Sequence, residues 1–363
     1  MGRGGESVLL NPANLWASSA SDAYVDFALL NLNYKVTTPE PGIKPGQITI
    51  PVLPLPSVGG NYKFGHLAIG SMLLPTGIGS TTKVEDFPVE LDGKYQVVSV
   101  AASQKGYKAG LGLAYKIGSK LSLGVSAIYD TSETTSTINL TENDAIVTKT
   151  NAKFIRPVIG LRYVWSGVGT FALSYQAKKE IPYTISIVAF GAEPQYLERR
   201  NYRPTVYGLG LQTRRFGAMR FYGQYSYEVW VPATLFAQPP NNALASESQV
   251  EFLNTHNYVL GGRYRLASKN TLGFSYGAYS KNKGPGLLSE KREILMGGRG
   301  AQDFEALDRT HLTASYEIPG KKTDWVTYAS FIRGSALNPE GESPNAGYYE
   351  LRILMLGIGS VFR

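Results

Sequence analysis

Residues 107–129, YKAGLGLAYKIGSKLSLGVSAIY, contain the pattern that decides the fold. From Tyr107 to Ile117 every second residue is apolar, and the residues between them are glycine, alanine or lysine. The same alternation resumes after a short turn at 118–120 and continues to Tyr129. Because the side chains of a strand point to opposite faces in turn, each run has one apolar face and one small or polar face. The stretch predicts a β-hairpin.

Tyrosines stand at both ends of the apolar face, roughly 8 to 10 residues apart, which is typical of the aromatic girdles at the two edges of a bilayer. The pattern recurs at six short turns along the chain. We therefore predict an all-β protein, a single antiparallel transmembrane β-barrel.

The composition agrees with a barrel. The 363 residues include 24 tyrosines, 40 glycines and no cysteine, so a disulfide framework and thiolate metal sites are excluded. A spanning helix needs about 18 apolar residues, and the uncharged stretch at residues 45–62 contains four prolines. The net charge of +8 comes from basic residues scattered over the whole chain, so no nucleic-acid partner is expected.

Fourteen strands can be placed, an even number that suits a closed antiparallel barrel. Short and long linkers alternate between them, which puts both termini on the short-turn side, expected to be periplasmic in a Gram-negative outer membrane. The predicted strands are 22–36, 55–64, 66–79, 103–117, 121–133, 149–165, 170–187, 199–213, 218–235, 253–266, 270–283, 304–318, 324–335 and 348–362. The faces of the last strand remain open, because both sets of alternate residues are apolar.

We expect two parts: residues 1–21, a short plug-like segment, and residues 22–363, the barrel. No secretory signal sequence is visible near Met1, so the chain is expected to represent a mature form.

Several segments resemble the FadL (OMPP1/TodX) family of outer-membrane transporters for long-chain fatty acids and other hydrophobic compounds. Asn11-Pro12-Ala13 resembles the signature of the family's N-terminal plug, and residues 67–79, LAIGSMLLPTGIG, resemble its third strand. Residues 224–230, QYSYEVW, resemble a late Tyr/Trp motif, and Asp308–Ile318, together with the last strand, resembles the final hairpins. The likeness extends over essentially the whole chain. The N-terminal segment and the outer loops are shorter than is usual in the family.

The resemblance implies a lumen pocket for an apolar ligand and a lateral exit through a gap in the wall. Pro75, Gly77 and Gly79 are the expected strand break, because proline lacks a ladder donor and glycine permits a bend. Asn11, Pro12 and Ala13 would anchor the plug below the lumen. Pro75 could instead simply end its strand, and the three plug residues could form an ordinary turn.

The lumen face is predicted to be basic. Such residues either hold a ligand carboxylate, bias a pore towards anions, or pair with acids and brace the wall. The candidate ligand contacts are Arg156, Arg162, Arg220, Arg263 and Arg265; Lys108 and Lys116 are also predicted to point inward.

No enzymatic activity, cofactor or metal is expected. Residues 273–277 match the G-x-S-x-G pattern, but the surrounding alternation places them inside a strand with no following helix. The three histidines, His66, His256 and His311, lie at separate strand ends without ligand spacing.

The preferred function is FadL-like transport of long-chain fatty acids or other hydrophobic molecules. The alternative is a porin-like or structural homo-oligomeric barrel associated with membrane lipid and without selective uptake. An outer-membrane enzyme or adhesin is the least favoured reading. A carrier needs a closed apolar pocket, whereas a pore needs a continuous wet path.

Overall fold

The computed structural model describes most of the chain. The described residues are 6–17, 21–37, 42, 44–91, 94–139, 145–189, 193, 195–230, 233–234, 249–250, 253–280, 307–338 and 347–362.

Strands dominate the molecule, and two short helical turns precede them. The helical turns are α1, Ser7–Leu10, and a 3-10 helix, Pro12–Trp16. The strands are β1 (Asp22–Thr37), β2 (Gly46–Phe64), β3 (Leu67–Leu91), β4 (Lys94–Ile117), β5 (Leu121–Asn139), β6 (Ala145–Trp165), β7 (Gly169–Gln176), β8 (Lys179–Ala189), β9 (Gln195–Arg203), β10 (Thr205–Thr213), β11 (Met219–Val229), β12 (Ala233–Thr234), β13 (Gln249–Val250), β14 (Thr255–Arg265), β15 (Thr271–Tyr279), β16 (Asp308–Ile318), β17 (Thr323–Asn338) and β18 (Gly347–Phe362).

Fourteen of these strands form a closed antiparallel barrel, which confirms the predicted fold class. Each strand pairs with its neighbour in the order β1-β2-β3-β4-β5-β6-β7-β10-β11-β14-β15-β16-β17-β18. β18 then pairs with β1 along its length, from Tyr348 opposite Thr37 to Phe362 opposite Ala23, and so closes the wall. Tight turns at one end carry glycines in the left-handed conformation, such as Gly118 at φ 60° and Gly167 at φ 84°.

Two predicted strands are each broken in two. The segment predicted as 170–187 is β7 followed by β8, and the segment predicted as 199–213 is β9 followed by β10. β8 pairs with the outer part of β6, and within the described ranges β9 pairs only with β8, so both extend the wall on the long-loop side. Pro204 lies at the second break and Pro182 lies near the first, within β8. The alternation of apolar and polar residues continues across both breaks, so it does not predict them.

The outer face of the barrel is apolar all the way round. Each of the fourteen strands exposes at least one large apolar side chain: Leu29, Val58, Ile69, Leu111, Val125, Ile159, Leu173, Leu209, Phe221, Leu260, Phe274, Leu312, Phe331 and Leu356. A water-soluble monomer rarely exposes a continuous apolar surface of this extent, whereas a bilayer requires it.

Aromatic rings border this apolar band on both sides. On the long-loop side, Tyr175 and Tyr207 lie with ring centroids 5.5 Å apart, and the Tyr107 ring lies 6.0 Å from that of Tyr129. On the short-turn side, the Trp165 ring lies 5.8 Å from that of Phe171. These two girdles delimit the membrane-spanning part of the wall. Separately, none of the described helices is long and apolar enough to cross a bilayer.

The pairing of β18 settles which of its faces lines the lumen. Leu351 and Ile353 are buried inside, whereas Leu354, Leu356 and Ile358 are exposed to the outside. Odd-numbered residues of β18 therefore line the lumen.

A charge placed on the apolar band should destabilise the barrel. Leu111, in the middle of β4, is 61% exposed, and Leu111→Arg should lower the free energy of unfolding in lipid vesicles by about 2–4 kcal/mol. Val97 is a matched control, because it is 51% exposed on the same strand but lies beyond Tyr107 on the long-loop side. Guanidinium unfolding should show a change below about 1 kcal/mol for Val97→Arg. Equal losses for the two variants would contradict this placement of the membrane.

Candidate functional site

The N-terminal segment, defined here as residues 6–17, lies inside the lumen near the short turns. Val8 and Leu15 are fully buried against Ala68 of β3 and Ala114 of β4. Glycines on the inner face allow this contact, because a Cβ on any of them would meet atoms of the segment at 2.0–2.7 Å, or at 3.2 Å for Gly112. The glycines are Gly70, Gly110, Gly112, Gly124 and Gly160. The small residues that alternate with the apolar ones thus form the seat of the segment.

Asn11 joins the segment to the wall. Its Nδ2 donates hydrogen bonds to the backbone oxygens of Leu161 on β6 (3.3 Å) and Leu173 on β7 (2.8 Å). Its Oδ1 accepts from the Ala13 amide at 3.1 Å and so caps the 3-10 helix, which Pro12 begins. Asn11, Pro12 and Ala13 are all buried. Gly160 is necessary here, because its Cβ would collide with the Asn11 amide.

Further hydrogen bonds hold the rest of the segment on the same side of the barrel. Ser126 Oγ donates to the Val8 oxygen at 2.6 Å, and Ser122 Oγ donates to the Ala13 oxygen at 3.2 Å. Trp16 Nε1 donates to the Ala114 oxygen, while Lys63 and Lys116 Nζ lie 5.5 and 5.4 Å from the centroid of the Trp16 ring.

The segment is narrow compared with the lumen. Fourteen strands about 4.8 Å apart and tilted by about 40° form a wall about 28 Å in diameter, whereas a helix with its side chains is about 10–12 Å in diameter. The described segment therefore covers the wall from β3 to β7 and leaves room beside it.

The wall opens between β2 and β3. These two strands pair from Phe64 opposite Leu67 to Val58 opposite Leu73, and there the ladder ends. Beyond this point β2 continues to pair with β1 and β3 continues to pair with β4. Prolines at 51, 54 and 56 remove three amide donors from this part of β2.

The residues predicted as a strand break lie just beyond the last pair. Pro75 is two residues after Leu73, and the register between β3 and β4 shifts between Pro75 and Gly77 and again between Ile78 and Thr81, an interval that contains Gly79. Unpaired edges of β2 and β3 are therefore present at this place in the wall, and a lateral exit through them stays a prediction.

An apolar patch lines the lumen on the side where β1 and β18 close the barrel. Tyr34, which is 2% exposed, is opposite the fully buried Leu351, and Leu32 is opposite Ile353. The ring of Tyr34 lies 6.4 Å from that of Tyr349. The apolar patch comprises Leu32, Tyr34, Leu307, Ile332, Tyr349, Leu351 and Ile353.

One cation borders the apolar patch. Arg309 occupies the same ladder row as Gly334, Leu351 and Tyr34, and its guanidinium carbon lies 5.6 Å from the ring centroid of Tyr279. Gly334 has no side chain, so Arg309 and Leu307 can lie across it; a Cβ there would approach Arg309 Cγ to 3.0 Å. Among the described residues, the buried Arg309 Nε has no hydrogen-bond partner.

The apolar surface continues from the patch to the edge of the gap. On β1, Leu30 follows Leu32 on the lumen face and is opposite Leu53 of β2. Ala28 is opposite Leu55, the next inward position of β2. The other edge of β2 is the unpaired one. A molecule could thus pass from the patch to the wall opening along aliphatic side chains.

The opposite part of the lumen is polar. Glu228 accepts hydrogen bonds from Thr255 (2.9 Å) and Asn257 (3.1 Å). A polar pair also lies on β16 and β17, the strands that carry Arg309 and Ile332: Thr313 Oγ1 is 2.9 Å from Ser330 Oγ.

The predicted lumen arginines lie on β6, β11 and β14, away from the apolar patch. Arg156 donates to two backbone oxygens, and Arg263 forms an ion pair with Glu317. Arg162 on β6 and Arg220 on β11 are half-buried, while Arg265 is exposed at the end of β14. On β4, Lys108 Nζ lies 3.6 Å from an Asp130 carboxylate oxygen. Arg309 was not identified from sequence, because its relation to Tyr34 and Leu351 depends on closure of the barrel.

The residues considered for enzymatic or metal chemistry are dispersed. Ser275 of the G-x-S-x-G pattern is inside β15. His256 stacks on Tyr225 at the outer face, and His311 lies 3.1 Å from Thr313 Oγ1 inside. The described residues contain no group of three potential metal ligands.

The fold defined here is a closed fourteen-stranded barrel with its N-terminal segment inside the lumen. It is the fold of FadL-like transporters. The Pseudomonas putida toluene transporter TodX is similar with a TM-score of 0.69 and 13% identity, over 99% of this chain and 94% of TodX. A Pseudomonas aeruginosa FadL homologue gives 0.69 and 12%, with the same coverage. The Ralstonia pickettii toluene transporter TbuX gives 0.63 and 14%, again over 99% and 94%. No model of a known protein family and no curated protein matches the sequence. At these identities the similarity concerns the fold.

A side chain added to the seat should displace the N-terminal segment. In a Leu15→Cys reporter, the thiol should be protected from a water-soluble maleimide, because Leu15 is fully buried and the chain has no other cysteine. Adding Gly160→Val should make it reactive. Gly208→Val is the control, because a Cβ there would meet chiefly the Ser174 side chain. Continued protection in the Gly160→Val variant would contradict the described seat.

Proposed function

We propose that this protein is an outer-membrane transporter for hydrophobic molecules, with long-chain fatty acids as its preferred substrates. The observation that carries the proposal is the continuous apolar lumen surface from the apolar patch to the unpaired edge of β2. Moving an acyl chain through water costs about 0.8 kcal/mol for each methylene group, so an apolar route that ends in the bilayer avoids a large barrier. The solved structures with this fold include proteins named as toluene transporters, which supports a transport function over an enzymatic one.

Arg309 would select an anionic head group. Its Nε is buried next to the apolar patch and has no hydrogen-bond partner within the part of the chain that the structure describes. A carboxylate can accept charge-assisted hydrogen bonds from this group while its acyl chain lies on Leu351 and Tyr34. A neutral aromatic hydrocarbon would gain the apolar contacts only. Arg156, Arg162, Arg220, Arg263 and Arg265 are given no head-group role in this proposal.

The N-terminal segment would act as the plug. It seats on β3–β7 by way of Asn11, Pro12 and Ala13, and it lies at the short-turn end of the lumen. Ligand arriving from the long-loop side would therefore turn sideways through the gap at Pro75, Gly77 and Gly79. The short-turn end, with both termini, would face the periplasm.

One observation favours a second function. The polar wall around Glu228, Thr255 and Asn257 faces the half of the lumen that the plug leaves uncovered. A porin-like pore, in a monomer or a homo-oligomer, would use this side. Single-channel recordings distinguish the two functions, because a transporter of apolar molecules should give no steady ion conductance, whereas a wet pore should.

Closing the gap should slow transport without unfolding the barrel. Pro75→Ala provides an amide donor, and Gly77→Val provides a β-branched residue that favours a strand, at the point where β3 separates from β2. Gram-negative cells that produce this variant should take up labelled oleate severalfold more slowly than cells with the parent protein. Pro88→Ala, farther out on β3, is the control for proline removal alone and should leave uptake unchanged. Parental rates in a correctly inserted double variant would refute lateral exit at this site.

Removing the Arg309 guanidinium should discriminate between ligand classes. Arg309→Gln should weaken oleate binding about tenfold to a hundredfold, the loss of a hydrogen bond to a charged group, and leave toluene binding within about twofold. Arg265→Gln is the control, because Arg265 is exposed at the short-turn end. Calorimetric titration in detergent measures both affinities. An equal loss for oleate and toluene would show that the substitution disturbs the patch instead of the head-group contact.

A further inference from the structure

A second interruption of the wall lies between β6 and the broken strand β7–β8. β6 pairs with β7 from Trp165 to Val158, and it pairs with β8 from Ala152 outwards. Between these ladders, residues 153–157 of β6 and residues 177–182 opposite them have no pairing across the wall. β6 remains paired with β5 throughout this stretch. The register shifts by one residue across this stretch, as in a β-bulge, but here five consecutive residues of β6 lack a partner on one side.

This interruption resembles the β2–β3 gap in its chemistry. Pro157, Pro182 and Pro204 lie in or beside it, as prolines 51, 54 and 56 follow the gap on β2. Ile155, in the middle of the unpaired stretch, points outward and is 58% exposed. Apolar side chains and missing donors therefore line both openings.

The two openings also flank one panel of the wall. The last residue of β3 that pairs with β2 is Leu73, which is opposite Ala109 of β4. Ala109 is opposite Tyr129, and Tyr129 is opposite Ile155. One ladder row across β3–β6 thus runs from the edge of the gap to the middle of the second interruption.

Arg156 closes the second interruption from inside. Its Nε donates to the Ala177 oxygen at 3.3 Å, and its Nη2 donates to the Pro204 oxygen at 2.8 Å. Both carbonyls lie between consecutive strands: Ala177 is between β7 and β8, and Pro204 is between β9 and β10. Ala177 and Pro204 lie two and three residues beyond the girdle tyrosines Tyr175 and Tyr207, at the long-loop edge of the membrane. A buried carbonyl without a donor is unfavourable, and one guanidinium here supplies donors to both.

We propose that this interruption is a second lateral portal at the long-loop edge of the membrane, closed by Arg156, through which an acyl chain can pass between the lumen and the bilayer. The Arg156 guanidinium is the latch: while it binds both carbonyls the wall is continuous, and when it leaves them the edges of β6 and β7–β8 separate. The inference rests on the proposed transport of apolar molecules but adds a route distinct from the β2–β3 gap.

The test measures transport with the first gap sealed. Pro56 and Pro75 occupy the positions that would pair if the β2–β3 ladder continued beyond Val58 and Leu73. Cysteines at 56 and 75 can be joined by a short bismaleimide, and the natural chain has no other cysteine to react. Uptake of labelled oleate by Gram-negative cells is compared in this sealed background with Arg156, Arg156→Ala and Arg156→Lys.

We expect sealed Arg156→Ala to transport oleate about tenfold faster than the sealed parent, because two hydrogen bonds that favour the closed state are lost. Arg156→Lys, which keeps the charge without the guanidinium fork, should be intermediate. Lys108→Ala is the matched control, because Lys108 is another lumen cation, on β4, that pairs with Asp130 and not with the break. Uptake by sealed Arg156→Ala no faster than by the sealed parent, or an equal rise with Lys108→Ala, would overturn the portal.

A second measurement does not depend on transport. Phospholipids with a diazirine near the carboxyl end of the acyl chain, at the level of the girdle, should label outward Ile155 in every variant, and label lumen-facing Phe154 only when Arg156 is replaced by alanine. Labelling confined to Ile155 would overturn the portal even if oleate transport is confirmed. Labelling of Phe154 without any oleate transport would support the portal and contradict the proposed function instead.

Discussion

The rest of the structure depends on the need to pair every backbone amide and carbonyl within the wall, because lipid offers no substitute partner. Closure of β18 on β1 meets this requirement around the circumference. The informative places are those where the ladder is interrupted. Between β2 and β3, prolines remove donors from the free edge, so less remains unpaired when the strands part. Between β6 and β7–β8, a side chain from the lumen provides the missing donors.

The lumen wall also differs from strand to strand in the side chains that line it. On β3–β7, glycines bring the backbone into direct contact with the N-terminal segment. On β1 and β16–β18, aliphatic and aromatic side chains cover the wall next to Arg309. On β11 and β14, Glu228 and its partners form a polar surface. A transporter of amphiphiles needs this separation, because a binding surface, a floor and an exit must not compete for one part of the wall.

Local alternation was sufficient to predict the fold class, the fourteen strands of the barrel and the short turns, since period-two patterning and turn residues are properties of neighbouring residues. Asn11-Pro12-Ala13 could be singled out because the tripeptide resembles the plug signature of the FadL family. The apolar patch could not, because Tyr34 and Leu351 meet only when the first strand pairs with the last. The faces of β18 were ambiguous for a related reason: both are apolar, and only closure decides between lipid and lumen. The breaks after Gln176 and Arg203 were missed because alternation does not report which strand a segment pairs with.

The seat of the N-terminal segment has a consequence for assembly. Asn11 hydrogen-bonds to backbone groups 150 and 162 residues farther along the chain. Neither acceptor exists in its final geometry until β6 and β7 are paired. Closing such distant contacts is slow, because the chain loses its freedom before the contacts form. The residues synthesised near the start must therefore wait, unfolded or held by other factors, until the middle of the chain has folded. The order of synthesis and the order of folding are opposed in this protein.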